Sequence, residues 1–496
     1  MLILFNPMSA PPGKNYLPLS LLALGAVLEG QYDYQIVDGN LELDPAKAIL
    51  SIFQAATAEK RILGVTVMPG PQLKQAVEVC RVIKTALPDV VIVWGGYFPT
   101  EHPEVCLRAA YVDYVVRGQG EYTFLELLAT LQQVEPNLAP IKGLIYKKQG
   151  KIFYNPERPL TSPQILPTLP YHRLPIEKYV GPTALGKRTL PHNSSYGCPF
   201  RCNFCAVVTM VDGGWLGETG ERTANSVNYL YQHFKIDSVI FVDNNFFTSE
   251  KRVRQYAEKL LELGLEGKIS WWGEGRVDTL LKYRPETWRI LRRAGCKMIF
   301  MGAESGSDET LARLNKGGNA TIAATLAIAK LLKEYDIVPE FSFMLGNPPN
   351  PDADIKNTSA FIKQIKRINP ATEIILYLYS PEPVAGGMLE AATSGGFRFP
   401  QTLDEWVSPE WSDFAHRHNP HTPWLKPRHR RQVSEFGQVL NAYFPTTTNP
   451  NLQGWRGKVV KSMASWRYHS GFYRYPIELK VLDRILAYQR QDTRAC

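Results

Sequence analysis

The feature that most constrains the fold is a pattern that occurs twice: short apolar runs rich in β-formers, separated by stretches of helical periodicity. The first series places strands at residues 2–5, 34–38, 62–67, 90–94 and 114–117, with helices at 19–28, 73–87 and 121–131. Strands this continuously apolar need cover on both faces, which a parallel sheet with crossover helices provides. A doubly wound sheet of this kind takes its ligand in the crevice beyond the carboxyl ends of its strands. The loops expected there are Met68-Pro69-Gly70-Pro71, Gly95-Gly96 and Arg117-Gly118-Gln119-Gly120-Glu121. Their glycines suit either a close approach to a ligand or tight turns.

Two strand-like runs between residues 141 and 155 flank Gln149-Gly150 and predict a hairpin, and a proline-rich stretch at 156–175 predicts a linker. The second series follows, with strands at 189–194, 238–242, 270–274, 298–301, 339–344 and 374–379. Six parallel strands with intervening helices form a barrel or part of one, with chemistry at the strand ends. The expected chain is α/β: an N-terminal Rossmann-like doubly wound parallel sheet, a partial (β/α)6 TIM-type barrel and a mainly helical C-terminal region. The expected divisions are 1–135, 136–185 for hairpin and linker, 186–385, and 386–496. The last division is rich in Trp, Tyr and Arg, carries a helix at 476–489, and is expected to shape a substrate pocket.

Composition narrows the class. The chain has 496 residues and 44% hydrophobic content, enough for several cores. A basic leader with an apolar core is not read at its start, nor an apolar run of the roughly 18 residues that span a bilayer. A cytoplasmic protein is expected, with placement at a membrane surface as the alternative. That alternative comes from the charge, +9 overall. Residues 386–496 hold 15 Lys and Arg against 9 Asp and Glu, so they contribute +6. The cations form no block, and a nucleic-acid partner is not expected.

Seven cysteines in so long a chain make no disulfide framework, yet three of them crowd into Tyr196-Gly-Cys-Pro-Phe-Arg-Cys-Asn-Phe-Cys205. Cys80, Cys106, Cys296 and Cys496 are scattered and read as packed or incidental thiols. The spacing of Cys198, Cys202 and Cys205, directly after a strand, points to iron held by thiolates. Three thiolates leave one iron of a [4Fe-4S] cubane open to a further ligand. Zinc, the other metal that thiolates suit, takes four ligands, and no fourth Cys or His stands at a zinc-like spacing. His192 reads as a packed or exposed residue.

The segment resembles the radical SAM superfamily, in which three cysteines at this spacing bind the cluster and S-adenosylmethionine (SAM) chelates the open iron. The resemblance implies that Phe204 packs on the adenine and that Asp243, Asn244 and Asn245 of Phe241-Val-Asp-Asn-Asn-Phe246 contact the SAM amino group. It further implies that Arg276 of Gly275-Arg-Val-Asp278 faces the SAM carboxylate. Glu304 and Ser305 of Met301-Gly-Ala-Glu-Ser-Gly-Ser-Asp-Glu-Thr310, which is followed by Leu314-Asn-Lys-Gly317, would lie near the ribose and amino acid. Phe343-Met-Leu-Gly-Asn-Pro348 and Tyr379-Ser-Pro-Glu-Pro383 are similar to the turns after the fifth and sixth strands. Tyr196 stands where many relatives carry arginine.

With the Rossmann-like domain ahead of the barrel, residues 1–385 resemble the cobalamin-binding group of that superfamily. Gly95, Gly96, Gly118 and Gly120 would lie at the cobalamin. The pattern D-x-H-x-x-G that supplies a cobalt-ligating histidine is absent, as is common in the group, and His102 reads as a loop residue. A plain nucleotide-binding domain is the alternative, although no G-x-G-x-x-G follows the first strand. The resemblance implies cleavage of SAM to a 5′-deoxyadenosyl radical, with methyl transfer to an sp3 carbon of a small-molecule or lipid-like substrate. It also implies a low-potential electron donor such as a flavodoxin or ferredoxin. A cyclase or rearrangement enzyme without methyl transfer, and a cobalamin or cluster sensor without turnover, are the other readings. A methylthiotransferase would need three more cysteines upstream, where only Cys80 and Cys106 are present.

Overall fold

The computed structural model describes residues 1–10, 14–57, 60–211, 213–317, 319–412, 414, 422–445, 452, 454–486 and 488. The first sheet contains β1 (Leu2–Asn6), β2 (Tyr34–Asp38), β3 (Ile62–Thr66), β4 (Val91–Gly95), β5 (Tyr114–Val116), β6 (Leu144–Lys148) and β7 (Lys151–Tyr154). Its order is β2-β1-β3-β4-β5-β6-β7. The first five strands are parallel. All five residues of β1 are buried. Alternation sends Ile3 and Phe5 into the core on one face and Leu2 and Leu4 into the core on the other, so the run is apolar without a break. The order reverses at β1, and the crevice of such a sheet lies between the loops that follow β1 and β3.

The hairpin expected alongside the linker is instead the continuation of this sheet. β6 pairs antiparallel with β5, Ile145 opposite Val115, and β7 with β6. Leu144 and Ile145 are buried with the first domain, so burial of an apolar pair holds the hairpin to the sheet. Three helices of the first domain were not read from sequence: the short Tyr97–Glu101 and Pro103–Arg108, and Pro45–Ala55, whose first turn is capped by Asp44 accepting from the Lys47 N–H at 3.0 Å.

The second sheet contains β8 (Thr189–His192), β11 (Ser238–Phe241), β12 (Ser270–Gly275), β13 (Cys296–Glu304), β14 (Val338–Leu345) and β15 (Glu373–Leu378). Between β8 and β11 the chain forms a two-stranded ladder of β9 (Ser195–Gly197) and β10 (Trp215–Gly217). The six strands are parallel and lie in chain order, with β8 and β15 at the edges. They form a partial barrel, as expected.

The C-terminal region is mainly helical and serves both sheets. Ala392, Phe397, Leu403, Trp406 and Phe414 join the core of the first domain, while Leu425, Val433, Phe436, Val439 and Tyr488 join that of the barrel. The helix expected at 476–489 spans Ile477–Leu486; residues 487 and 489, like Cys496, lie outside the described residues.

Candidate active site

The three cysteines lie on the loop that leaves β9, at the carboxyl end of the barrel. Cys202 is buried, and Cys198 and Cys205 are partly so. Two residues fix the start of this loop. Asp243, fully buried after β11, accepts from the Ser194 N–H (3.1 Å), the Ser194 hydroxyl (2.7 Å) and the Ser195 hydroxyl (2.5 Å). Arg252 donates to the carbonyls of Ser194 (3.3 Å), Glu218 (2.7 Å) and Phe246 (3.2 Å). Asp243 is therefore committed to anchoring the loop, and Asn244 is exposed.

Asn245 points the other way. Its Nδ2 lies 3.7 Å from the Cys198 sulfur, and its buried Oδ1 has no hydrogen-bond partner. A buried acceptor without a donor costs about 1–3 kcal/mol, so this oxygen is suited to a donor from a bound molecule, as the ammonium of SAM would be.

Arg276 follows β12 and stands at the second sulfur, with Nη1 3.5 Å from Cys202. Its Nε and Nη2 form a fork with Asp278 at 3.0 Å each, and Nη2 also donates to the Lys316 carbonyl. Of the five guanidinium hydrogens, one on Nη1 is left. The plane rests on the Phe200 ring, 3.7 Å from its centre. Lys316 donates to Glu304 at 2.8 Å and to the Gly302 carbonyl at 2.6 Å, 5.9 Å from the ring of Phe204. Burial pushes the Cys202 thiol up in pKa, and Lys316 and Arg276 pull against it. Both cations are themselves paired with buried carboxylates, Arg276 with Asp278 and Lys316 with Glu304, so the balance at the Cys202 thiol stays upward.

The structure brings Cys198, Cys202, Phe204, Asn245, Arg276 and Glu304 to one locality. Ser305 is turned away, donating to Asp354 at 3.1 Å and accepting from the Ser307 N–H at 3.2 Å. Phe200, Lys316 and Arg252 were not singled out in the sequence; Lys316 lies inside the Leu314–Gly317 segment and could have been found there. Among the described residues, no three His, Cys, Asp or Glu side chains converge on a single ion position. A cubane takes its thiolates on separate irons, so its site does not require a single ion position.

The first domain meets this loop at the carboxyl ends of its strands. Tyr196 donates to Glu121 at 3.0 Å, Thr209 to Glu101 at 2.8 Å, and Tyr97 to Glu382 at 2.8 Å. Glu121 is buried, and burial raises its carboxyl pKa despite the bond from Tyr196. Two of the loop glycines have a backbone reason. Gly96, at φ +98°, would bring a Cβ to 3.2 Å from the Val67 backbone, and Gly118, at φ +67°, to 3.3 Å from the Met210 carbonyl across the junction. Gly95 and Gly120, both at negative φ, would set a Cβ at 3.7 Å and 3.3 Å from Val116. At the crevice, Ser20 donates to Thr66 at 3.3 Å in an exposed position. An open cleft of about 570 Å³ runs along the first domain, lined by Thr100, Glu101, His102, Arg117, Ile145 and Tyr154, with Val208, Thr209 and Pro383 on its far side. His102 lies between two short helices with its ring packed against Phe98 (5.0 Å), Phe399 (5.5 Å) and Trp406 (4.8 Å). Its ring therefore serves in packing. Cys80, Cys106 and Cys296 are buried thiols.

A parallel sheet with a β1 crevice, docked on a partial barrel that presents three thiols, defines a radical SAM enzyme with a cobalamin domain. The chain belongs to that family: residues 8–128 match the B12 binding domain and residues 192–362 the radical SAM superfamily. Its cofactors are a [4Fe-4S] cluster, SAM and cobalamin. An uncharacterized methyltransferase of Pyrococcus horikoshii is 29% identical over 70% of this chain and 73% of its own length. An anaerobic magnesium-protoporphyrin IX monomethyl ester cyclase of Synechocystis is 22% identical over 74% and 71%. The radical SAM methyltransferase TsrM of Kitasatospora setae, solved with cobalamin and a [4Fe-4S] cluster, shares the fold with a TM-score of 0.69 at 15% identity, over 98% of this chain and 99% of that one. Among the described residues, no helix is long and apolar enough to cross a membrane.

Proposed function

We propose that the protein methylates an unactivated carbon of a small-molecule substrate. The observation that carries this reading is the junction itself: the strand-end loops of the cobalamin domain are hydrogen-bonded to the cysteine loop through Tyr196 and Glu121. When bound, the cluster supplies the electron that splits SAM into methionine and a 5′-deoxyadenosyl radical, and cobalamin carries the methyl group that the substrate receives.

The chain's own part is to bind, orient and exclude water. Cys198, Cys202 and Cys205 would hold three irons. Asn245 Oδ1 would accept from the SAM ammonium, the remaining Arg276 N–H would reach its carboxylate, and Phe204 would lie against adenine, beside the Lys316–Glu304 pair. Gly95, Gly96, Gly118 and Gly120 keep the cobalamin-side loops thin, so that the two domains close over the reacting carbon and keep water and oxygen out. No side chain is assigned as a general base. A low-potential flavodoxin or ferredoxin in a reducing cytoplasm is the electron donor in this reading, and a lipid-like substrate falls within it.

The cyclase relative supports a second reading, radical chemistry without methyl transfer. Anaerobic reconstitution with iron, sulfide and cobalamin, followed by assay of 5′-deoxyadenosine and S-adenosylhomocysteine, separates the two. Both products are expected. Formation of 5′-deoxyadenosine alone on the true substrate would favour the second reading, and formation of neither would overturn both.

A further inference from the structure

The two last helices of the described chain are apolar on opposite sides. On Trp455–Ser470, Gly457, Val460, Ala464 and Tyr468 are buried, while Trp455, Val459, Met463 and Trp466 are exposed. At about 3.6 residues per turn these four fall within an arc of roughly 80°, on the side away from the buried set. On Ile477–Leu486 the same arrangement recurs: Ile477, Val481 and Ile485 are exposed one turn apart, and Leu479 is buried. Phe472, in the turn between the helices, stacks on Trp466 with ring centres 6.0 Å apart and continues the apolar surface. Trp455, Ile477 and Ile485 are 70%, 66% and 72% exposed, where isolated surface apolar residues would need no explanation but a continuous set does.

Cations border the surface. Arg456, Lys458, Arg474, Lys480 and Arg484 are all exposed; Lys461 projects from the other side of its helix, over the Tyr443 ring. Of the two acids in these helices, Glu478 is held by Arg467 and Asp483 caps the Tyr488 N–H. Apolar and aromatic side chains flanked by Lys and Arg form the surface of a helix that lies in the headgroup region of a bilayer. A second copy of the chain is a poorer occupant, because a twofold contact sets each patch on its own image and brings the five cations against their like.

We propose that this two-helix face docks the enzyme on the surface of a membrane bearing anionic headgroups. The inference does not depend on the reaction catalysed. Its test is flotation of the full-length protein with vesicles of phosphatidylcholine, with and without phosphatidylglycerol. Binding is expected only with the anionic lipid and is expected to fall with salt. The pair Arg456→Gln and Lys458→Gln should weaken it about thirtyfold, each cation near such a surface being worth about fivefold. Trp455→Ser with Trp466→Ser should weaken it further. Unchanged unfolding midpoints confirm that these exposed changes leave the fold intact, and the glutamine pair suffices if the serine pair does not fold. Absence of flotation, equal flotation with neutral vesicles, or a solution dimer that the same variants dissociate would each overturn the proposal.

Discussion

The two parallel sheets are built from the same βα unit and treat their strand ends differently. In the barrel, the strands lie in chain order, and their carboxyl ends carry side chains with capacity to spare: the Asn245 oxygen without a donor and the last Arg276 hydrogen. In the first domain the order reverses at β1, and the polar side chains at the strand ends are used up within the protein. Asn6 donates to Asp38 at 2.8 Å, Gln72 to Asn6 at 2.9 Å, and Tyr179 to Asp38 at 2.6 Å. The barrel is thus prepared to bind through side chains, and the first domain through shape, thin glycine loops and docking.

The largest expected effect tests the barrel side. Cys202→Ala should abolish the cluster's visible absorption and reduce SAM cleavage to background in the reconstituted enzyme, and retention of either breaks the assignment. Asn245→Ala comes next. If Oδ1 serves the SAM ammonium, a charged hydrogen bond worth about 1.5–3 kcal/mol is lost, and KM for SAM rises roughly tenfold or more. If the oxygen is only a strained buried acceptor, its removal leaves KM alone and raises the unfolding midpoint. The two measurements separate the cases.

The junction is tested by Tyr196→Phe. The Glu121 carboxyl then loses one of its donors, with the Gln119 side chain and the backbone N–H groups of Gly120 and Glu121 remaining, at a cost of about 1 kcal/mol. The denaturation midpoint should fall, and methylated product per 5′-deoxyadenosine should fall with it, while SAM cleavage persists. Equal loss of both products would place Tyr196 with the cluster rather than with the coupling of domains.

Much of this was legible in the sequence because burial on both faces leaves an apolar run that no other element explains. The strands expected at 62–67 and 374–379 are observed as Ile62–Thr66 and Glu373–Leu378. The ladder of β9 and β10 was missed because three-residue strands show no periodicity. Pro45–Ala55 carried a readable signal in Asp44-Pro45, a capping side chain before a first-turn proline. The cysteines were visible as a spacing. The commitments of Asp243, Arg276 and Ser305 were not, because their partners Ser194, Lys316 and Asp354 lie 40 or more residues away and are set by the fold. The burial of His102 was equally invisible, since Phe399 and Trp406 come from the far end of the chain.

His102 gives the smallest expected effect and tests whether the C-terminal region is part of the first domain. Burial in its aromatic surroundings lowers the imidazole pKa from 6.5 to about 4. The unfolded chain therefore takes up this proton at a higher pH than the folded one, so the group's contribution is complete above about 6.5 and is lost as pH falls toward 4. The loss amounts to at most about 3 kcal/mol. His102→Phe keeps an aromatic ring against Phe98 and Trp406 and removes the proton site. Urea midpoints measured between pH 7.5 and 4.5 should decline less steeply in the variant than in the wild type. Parallel declines would mean that water from the cleft that His102 lines solvates the imidazole, and that the contacts of Phe399 and Trp406 do not desolvate it.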